Sequence, residues 1–232
     1  MNLLRRRDTD CVDLKSAVPC RVFQSDEMPE AIRLELVRQF GDQSLSYSSA
    51  IQTGLQHFGD DNGFIAFGCQ YGQIFALGDP ITAAHRCPAL ITAFLKAFPR
   101  ATFVQINENT AEILSGMKFW VNEIGHDTRL DLEHYDFRGK EKERFRYAAN
   151  WLMRRDYTIV ELPFENEVIS QTRAICERWR KTRYVKRETA FVNRPLEFRD
   201  QPDTRRFFLL DDQAQIVAFV FFDPLYLSLI HI

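Results

Sequence analysis

The chain is poor in glycine, with ten among 232 residues against twenty phenylalanines. That ratio excludes a loop-rich or low-complexity protein and favours packed sheets. Cysteines are few: Cys11, Cys20, Cys69, Cys87 and Cys176 are odd in number, scattered and free of C-x-x-C spacing. They exclude a disulfide framework and a zinc ribbon, and they fit a reducing cytoplasm. The five histidines form no i, i+4 pair and no H-E-x-x-H occurs, so no metal is expected. No G-x-S-x-G is present, and the only cysteine near a histidine is Cys87, beside His85 and Arg86. No apolar run approaches the roughly 18 residues of a membrane span, since the longest candidate, Ile216 to Phe222, is strand-sized. Arg5, Arg6 and Arg7 are followed by no apolar core, which excludes a signal peptide and predicts a short disordered leader over residues 1–19.

What the chain does have is segregated positive charge. From Arg138 to Arg155 there are seven basic and two acidic side chains, and Arg173 to Glu188 repeats that balance. Two blocks of +5 in a chain of net charge −2 leave the remainder at −12. Such segregation suits RNA phosphates or anionic lipid headgroups, and it also suits a plain solvated helix face. In the first block Phe145, Ala148, Ala149 and Leu152 recur at helical spacing, which puts Lys140, Arg146, Asn150 and Arg154 away from the apolar stripe. The second block interleaves Trp179 and Tyr184 with Arg178 and Arg183; aromatics there can stack on unpaired bases, or Trp179 can belong to the core with Val168 and Ile175.

Periodicity and turn signals predict an α+β protein. Helices are expected over Met28 to Phe40, Ala84 to Phe98, Asn109 to Lys118 and Glu165 to Arg183. Strands are expected at Leu55 to Phe58, Phe64 to Gln70, Gln73 to Leu77, Thr102 to Ile106, Phe119 to Ile124, Thr128 to Leu132 and from Tyr157. Asn62-Gly63 and Tyr71-Gly72 mark hairpin turns. Gln73-Ile74-Phe75-Ala76 runs into Gly78-Asp79-Pro80, and Gln215-Ile216-Val217-Ala218 into Phe222-Asp223-Pro224, which reads as a tandem repeat. Residues 20–162 are then a first copy and 163–232 the start of a second. That copy stops short of a second basic helix and a closing strand pair, so activity is expected of the full-length protein and not of the chain as it stands. The last six residues, Leu227 to Ile232, read either as adapter-derived sequence or as a final strand.

Several of these segments resemble one family. Ile124-Gly125, Asp131-Leu132, Phe137, Gly139-Lys140, Arg146 and Asn150 are similar to the C-terminal cytosolic domain of bacterial phosphatidylglycerol lysyltransferases. Phe64-Ile65-Ala66-Phe67 and Ala76-Leu77-Gly78-Asp79-Pro80 resemble its strand pair ending in Gly-Asp-Pro. The resemblance implies tandem GNAT-like folds with mixed sheets, and transfer of an amino acid from aminoacyl-tRNA to phosphatidylglycerol or another acceptor. It implies a cytoplasmic protein, peripheral at the inner face of the membrane. The family's multi-helix membrane half has no counterpart here.

The residues place the candidate chemistry at Asp79, where a strand ends and Pro80 forces an extended turn. Its carboxylate can hold an ammonium, act as a base, or simply cap the next helix. Substrate binding falls to Lys140, Arg146, Asn150, Arg154, Arg178 and Arg183, and backbone geometry to Gly78, Pro80, Gly125 and Gly139. No glycine-rich pyrophosphate turn follows a strand, so coenzyme A is not expected and no cofactor is assigned. Two alternatives stay open: an N-acyltransferase with another activated donor, and a non-catalytic module that binds RNA or an anionic membrane.

Overall fold

A computed structural model describes residues 20–23, 27–184, 191 and 193–226. The leader, Cys11, Lys186, Arg187, Glu188 and the 227–232 tail fall outside them. The chain divides into two compact units. Among the described residues the first holds 20–126 with 191, 193–195 and 225–226; the second holds 127–184 and 196–224. The division falls at 126/127, upstream of the expected 162/163.

The first unit is built on a mixed sheet in the order β1 (Arg21–Val22), β2 (Gln56–Asp60), β3 (Gly63–Gln70), β4 (Gln73–Leu77), β6 (Thr102–Val104). A short β5 (Ile81–Thr82) pairs with β3. Asn62-Gly63 and Tyr71-Gly72 do make the hairpins that join β2 to β3 and β3 to β4. Both Tyr71 and Gly72 take positive φ, the requirement of a two-residue turn that matches strand twist. The run Phe64-Ile65-Ala66-Phe67 is apolar throughout because β3 is buried on both faces. Ile65 and Phe67 join the core under α3 (Cys87–Ala97) and α4 (Glu108–Gly116), while Phe64 and Ala66 join the core under α1 (Glu30–Phe40) and α2 (Ser46–Ile51).

Helix α3 turns Leu90, Ile91, Phe94 and Leu95 inward, and Phe94 meets Phe58, Phe67, Phe98 and Phe103 at ring separations of 5.1–5.7 Å. It makes the crossover that lets β4 pair with β6 in parallel, as such pairs require. Helix α2 had no periodic signal: it is six residues long, rich in serine and buried, and Ser49 Oγ donates to the Ser46 carbonyl at 2.8 Å.

The second unit carries α5 (Glu143–Met153), β7 (Thr158–Glu161), α6 (Asn166–Thr182), β8 (Arg205–Leu210) and β9 (Ile216–Phe222). Its three strands form an antiparallel sheet in chain order. Phe164, Phe208 and Ile216 are its buried centre, with Val168, Ile169 and Ile175 of α6 packed on them. Strand, helix, strand, strand (β7, α6, β8, β9) resembles the order in which β1, α1, α2, β2 and β3 enter the first unit, with α2 as an additional helix there. In that order Asp223 follows the third strand and Asp79 the fourth, so the two Asp-Pro steps are not equivalent positions. Asp-Pro is turn chemistry, available to any strand end.

Other expectations are corrected by the structure. Phe119 to Ile124 and Thr128 to Leu132 are not strands: apart from a bridge at Phe119 they are irregular, and Leu132 is 79% exposed. Alternation describes two faces but supplies no partner, and no strand pairs with them among the described residues. The stripe of α5 is also uncovered, with Phe145 60% exposed and no residue of the helix buried. Trp179 is no core residue, since 53% of it is exposed at the end of α6.

Candidate functional site

Strands β4 and β6 run side by side to the pair Leu77 and Val104 and then part. The Gly78 amide still donates to the Val104 carbonyl at 3.0 Å, with Gly78 at φ +69°. A Cβ on Gly78 would lie 3.0 Å from Gln43 Oε1, so this is one of the places where glycine is required. Beyond it, Gln43 stitches the fork: its Oε1 accepts from the Asp79 amide at 3.1 Å, and its Nε2 donates to the Gln105 carbonyl at 2.6 Å. The Asn107 amide donates to Asp79 Oδ1 at 3.0 Å, and the Asn107 side chain caps α4 by accepting from the Thr110 amide. Asp79 therefore braces the turn into α4; it does not cap the helix that follows it in sequence.

Asp79 is 8% exposed, and its Oδ2 is buried without a hydrogen bond among the described residues. Burial pushes its pKa up to about 6, against the Thr110 side chain and the Asn107 amide, which pull it down. A carboxyl so placed can exchange a proton near neutral pH or hold a hydrogen-bond donor. Gln105, at φ +56°, likewise leaves Oε1 buried and unpartnered. Gln43 has no signal in the sequence, because its partners lie 36 and 62 residues away.

Cys87 is no nucleophile. Burial first and the charge of Asp79 second push its thiol up to about 11, so it stays protonated at neutral pH. Arg86 is engaged with Asp60 at 2.6 Å. Among the described residues no cluster of three or more His, Cys, Asp or Glu is arranged to hold a metal.

The basic candidates all lie in the second unit. Lys140, Asn150 and Arg154 are exposed, as are Arg178 and Arg183. Arg146 differs from them: its guanidinium donates to the Phe137 and Gly139 carbonyls, the latter at 2.8 Å, and so fastens the turn at Gly139, where φ is +88°. Gly125 has neither a positive φ nor a close neighbour, so backbone geometry does not call for glycine there. Two tryptophans complete the surface. Arg155 sits 4.1 Å over Trp151, and Arg183 sits 4.3 Å over Trp179.

The mixed sheet covered by helices on both faces, with a parallel pair that parts at its C-terminal end, is of the GNAT-like fold class. Within that class the chain belongs to the phosphatidylglycerol lysyltransferase C-terminal family, whose model matches residues 34–232. Several solved structures share its fold, and two serve as examples. One is L-PGS from Bacillus licheniformis, with TM-score 0.76 and 22% identity, covering 87% of this chain and 63% of that one. The other is the C-terminal domain (DUF2156) of a putative lysylphosphatidylglycerol synthetase from Agrobacterium fabrum, with TM-score 0.69 and 18% identity, covering 82% and 61%. The chain thus spans less than two thirds of either. Comparison with curated proteins finds no match. Among the described residues no helix is long and apolar enough to cross a membrane.

Proposed function

We propose that this chain serves aminoacyl transfer, moving an amino acid from aminoacyl-tRNA to phosphatidylglycerol or to another hydroxyl or amine acceptor. The observation that carries the reading is membership of the phosphatidylglycerol lysyltransferase C-terminal family over residues 34–232. The chemistry asks little of a cofactor, because the amino acid arrives as an activated ester. The acceptor oxygen forms a bond to the ester carbonyl carbon, the bond from that carbon to the tRNA ribose oxygen breaks, and the acceptor's proton ends on the departing oxygen. Holding the two reactants in register can supply roughly 7–11 kcal/mol of the barrier. That no glycine-rich pyrophosphate turn follows a strand argues against coenzyme A as donor.

In this reading Asp79 is the residue of the first unit that holds an ammonium or relays a proton. Lys140, Asn150, Arg154, Arg178 and Arg183 supply the anion-binding surface of the second, in a cytoplasmic protein that meets the membrane at its inner face. A strand, a helical segment and two antiparallel strands open both units, which supports a tandem duplication with the second copy entering at β7. The test is binding of charged tRNA and of phosphatidylglycerol vesicles over a range of salt. Removing one cation that pairs with a phosphate should flatten the salt slope by roughly 0.7–0.9. Lys140→Ala and Arg154→Ala are expected to weaken binding and flatten the slope; unchanged affinity and slope in both would reduce the basic surface to solubilising charge.

A further inference from the structure

Two exposed tryptophans of the second unit share one local arrangement. Trp151 and Arg155 lie four residues apart at the end of α5, and Trp179 and Arg183 four apart at the end of α6. In each pair the guanidinium lies over the indole, at 4.1 Å and 4.3 Å, the contact that i, i+4 spacing permits. Trp151 is 39% exposed and is braced by Tyr157, whose ring is 5.9 Å away and tilted by 32°. Arg144, seven residues before Trp151, lies on the same side of α5 and is exposed.

We infer that these two tryptophan–arginine stacks are a platform for unpaired RNA nucleotides, with bases stacking on the indole or guanidinium planes and phosphates paired by the arginines. This deepens the reading of an RNA-borne donor and rests on it. Every base has a π face, and aromatic and guanidinium planes are what proteins offer to single strands. Charge complementarity supports the choice of partner, since both stacks fall in the two +5 blocks. At Trp151 a membrane is the weaker occupant on geometric grounds, whereas Trp179 lies on the same face of α6 as Val168 and Ile175. At 100° per residue, Trp151 lies about 100–160° around α5 from Phe145, Ala149 and Leu152 and about 60° from Ala148, at the border of the apolar face that a lipid interface would take up. It stands among Arg144 and Arg155.

The experiment measures binding of the whole chain to an unstructured oligoribonucleotide, to blunt duplex RNA of the same length, and to phosphatidylglycerol vesicles. Trp151→Ala and Trp179→Ala are each expected to weaken single-strand binding roughly 5- to 150-fold, the range for one stacked base, with duplex binding nearly unchanged. Trp151→Phe and Trp179→Phe should restore most of it, which separates stacking from any loosening of α5 on Tyr157. The inference is overturned if the alanine variants bind single strands like the parent, if duplex binding falls equally, or if only vesicle binding falls. Parent binding to charged tRNA with no effect of the tryptophans sinks the platform and leaves the proposed function standing. Absence of any RNA binding by the parent sinks both.

Discussion

The Asn107 amide donates to Asp79 Oδ1 at 3.0 Å, tying the end of β4 to the turn that opens α4. The other oxygen of that carboxyl is buried and unpartnered, so the same residue both braces the fork and carries a desolvation cost.

The cost has a pH signature, and His57 opposes it. Burial raises Asp79 from 3.8 to about 6, so between those values the folded chain keeps a proton that the unfolded chain has lost, and stability falls as pH rises. Burial lowers His57 from 6.5 to about 4, although its Nε2 lies 2.9 Å from the Ser49 carbonyl. Between those values the unfolded chain holds the extra proton, and stability rises with pH. The two slopes largely cancel in the parent between pH 4 and 6. Asp79→Asn should uncover a rise of stability with pH, and His57→Gln a fall, each on the order of 2–3 kcal/mol. Denaturant midpoints across pH 4–8 check this, and parallel curves for all three proteins would refute it.

Two glycines of the motif should behave differently. Gly78→Ala puts a side chain at φ +69° and 3.0 Å from Gln43 Oε1, and should cost about 1–3 kcal/mol. Gly125→Ala enters open space at an ordinary φ and should change stability by no more than about 0.5 kcal/mol. Thermal unfolding of the pair decides it; equal losses would mean the fork is not closely built.

Arg146 should act on a loop and Lys140 should not. Removing the guanidinium frees the Phe137 and Gly139 carbonyls. Arg146→Ala is therefore expected to speed amide exchange around residues 137–142, and Lys140→Ala to leave it unchanged. If both leave it unchanged, Arg146 is available to an anionic partner after all.

The fold was legible where local chemistry decides it. The run from Phe64 to Gln70 foretold the strand β3, Tyr71-Gly72 foretold a hairpin, and the helix expected over Ala84 to Phe98 foretold α3. Legibility failed where the answer depends on a distant partner. Alternation at Thr128, Leu130 and Leu132 promised a strand, yet pairing is a property of two segments. Helical spacing put Trp179 with the core, but α6 leaves its last turns exposed. Asp79 was recognisable from its place before Pro80. Its desolvation was not, because Gln43, Gln105 and Asn107 reach the fork from elsewhere in the chain.

The central claim is transfer of an amino acid from tRNA to an acceptor, and the product lipid tests it most directly. Cells expressing the gene that encodes this chain should accumulate a new amine-bearing phospholipid, and label should pass from charged tRNA to phosphatidylglycerol in their extracts. Asp79→Asn should lower that yield without lowering the amount of folded protein. An unchanged lipid profile, with no label transferred from charged tRNA to any lipid or amine acceptor, would contradict the account.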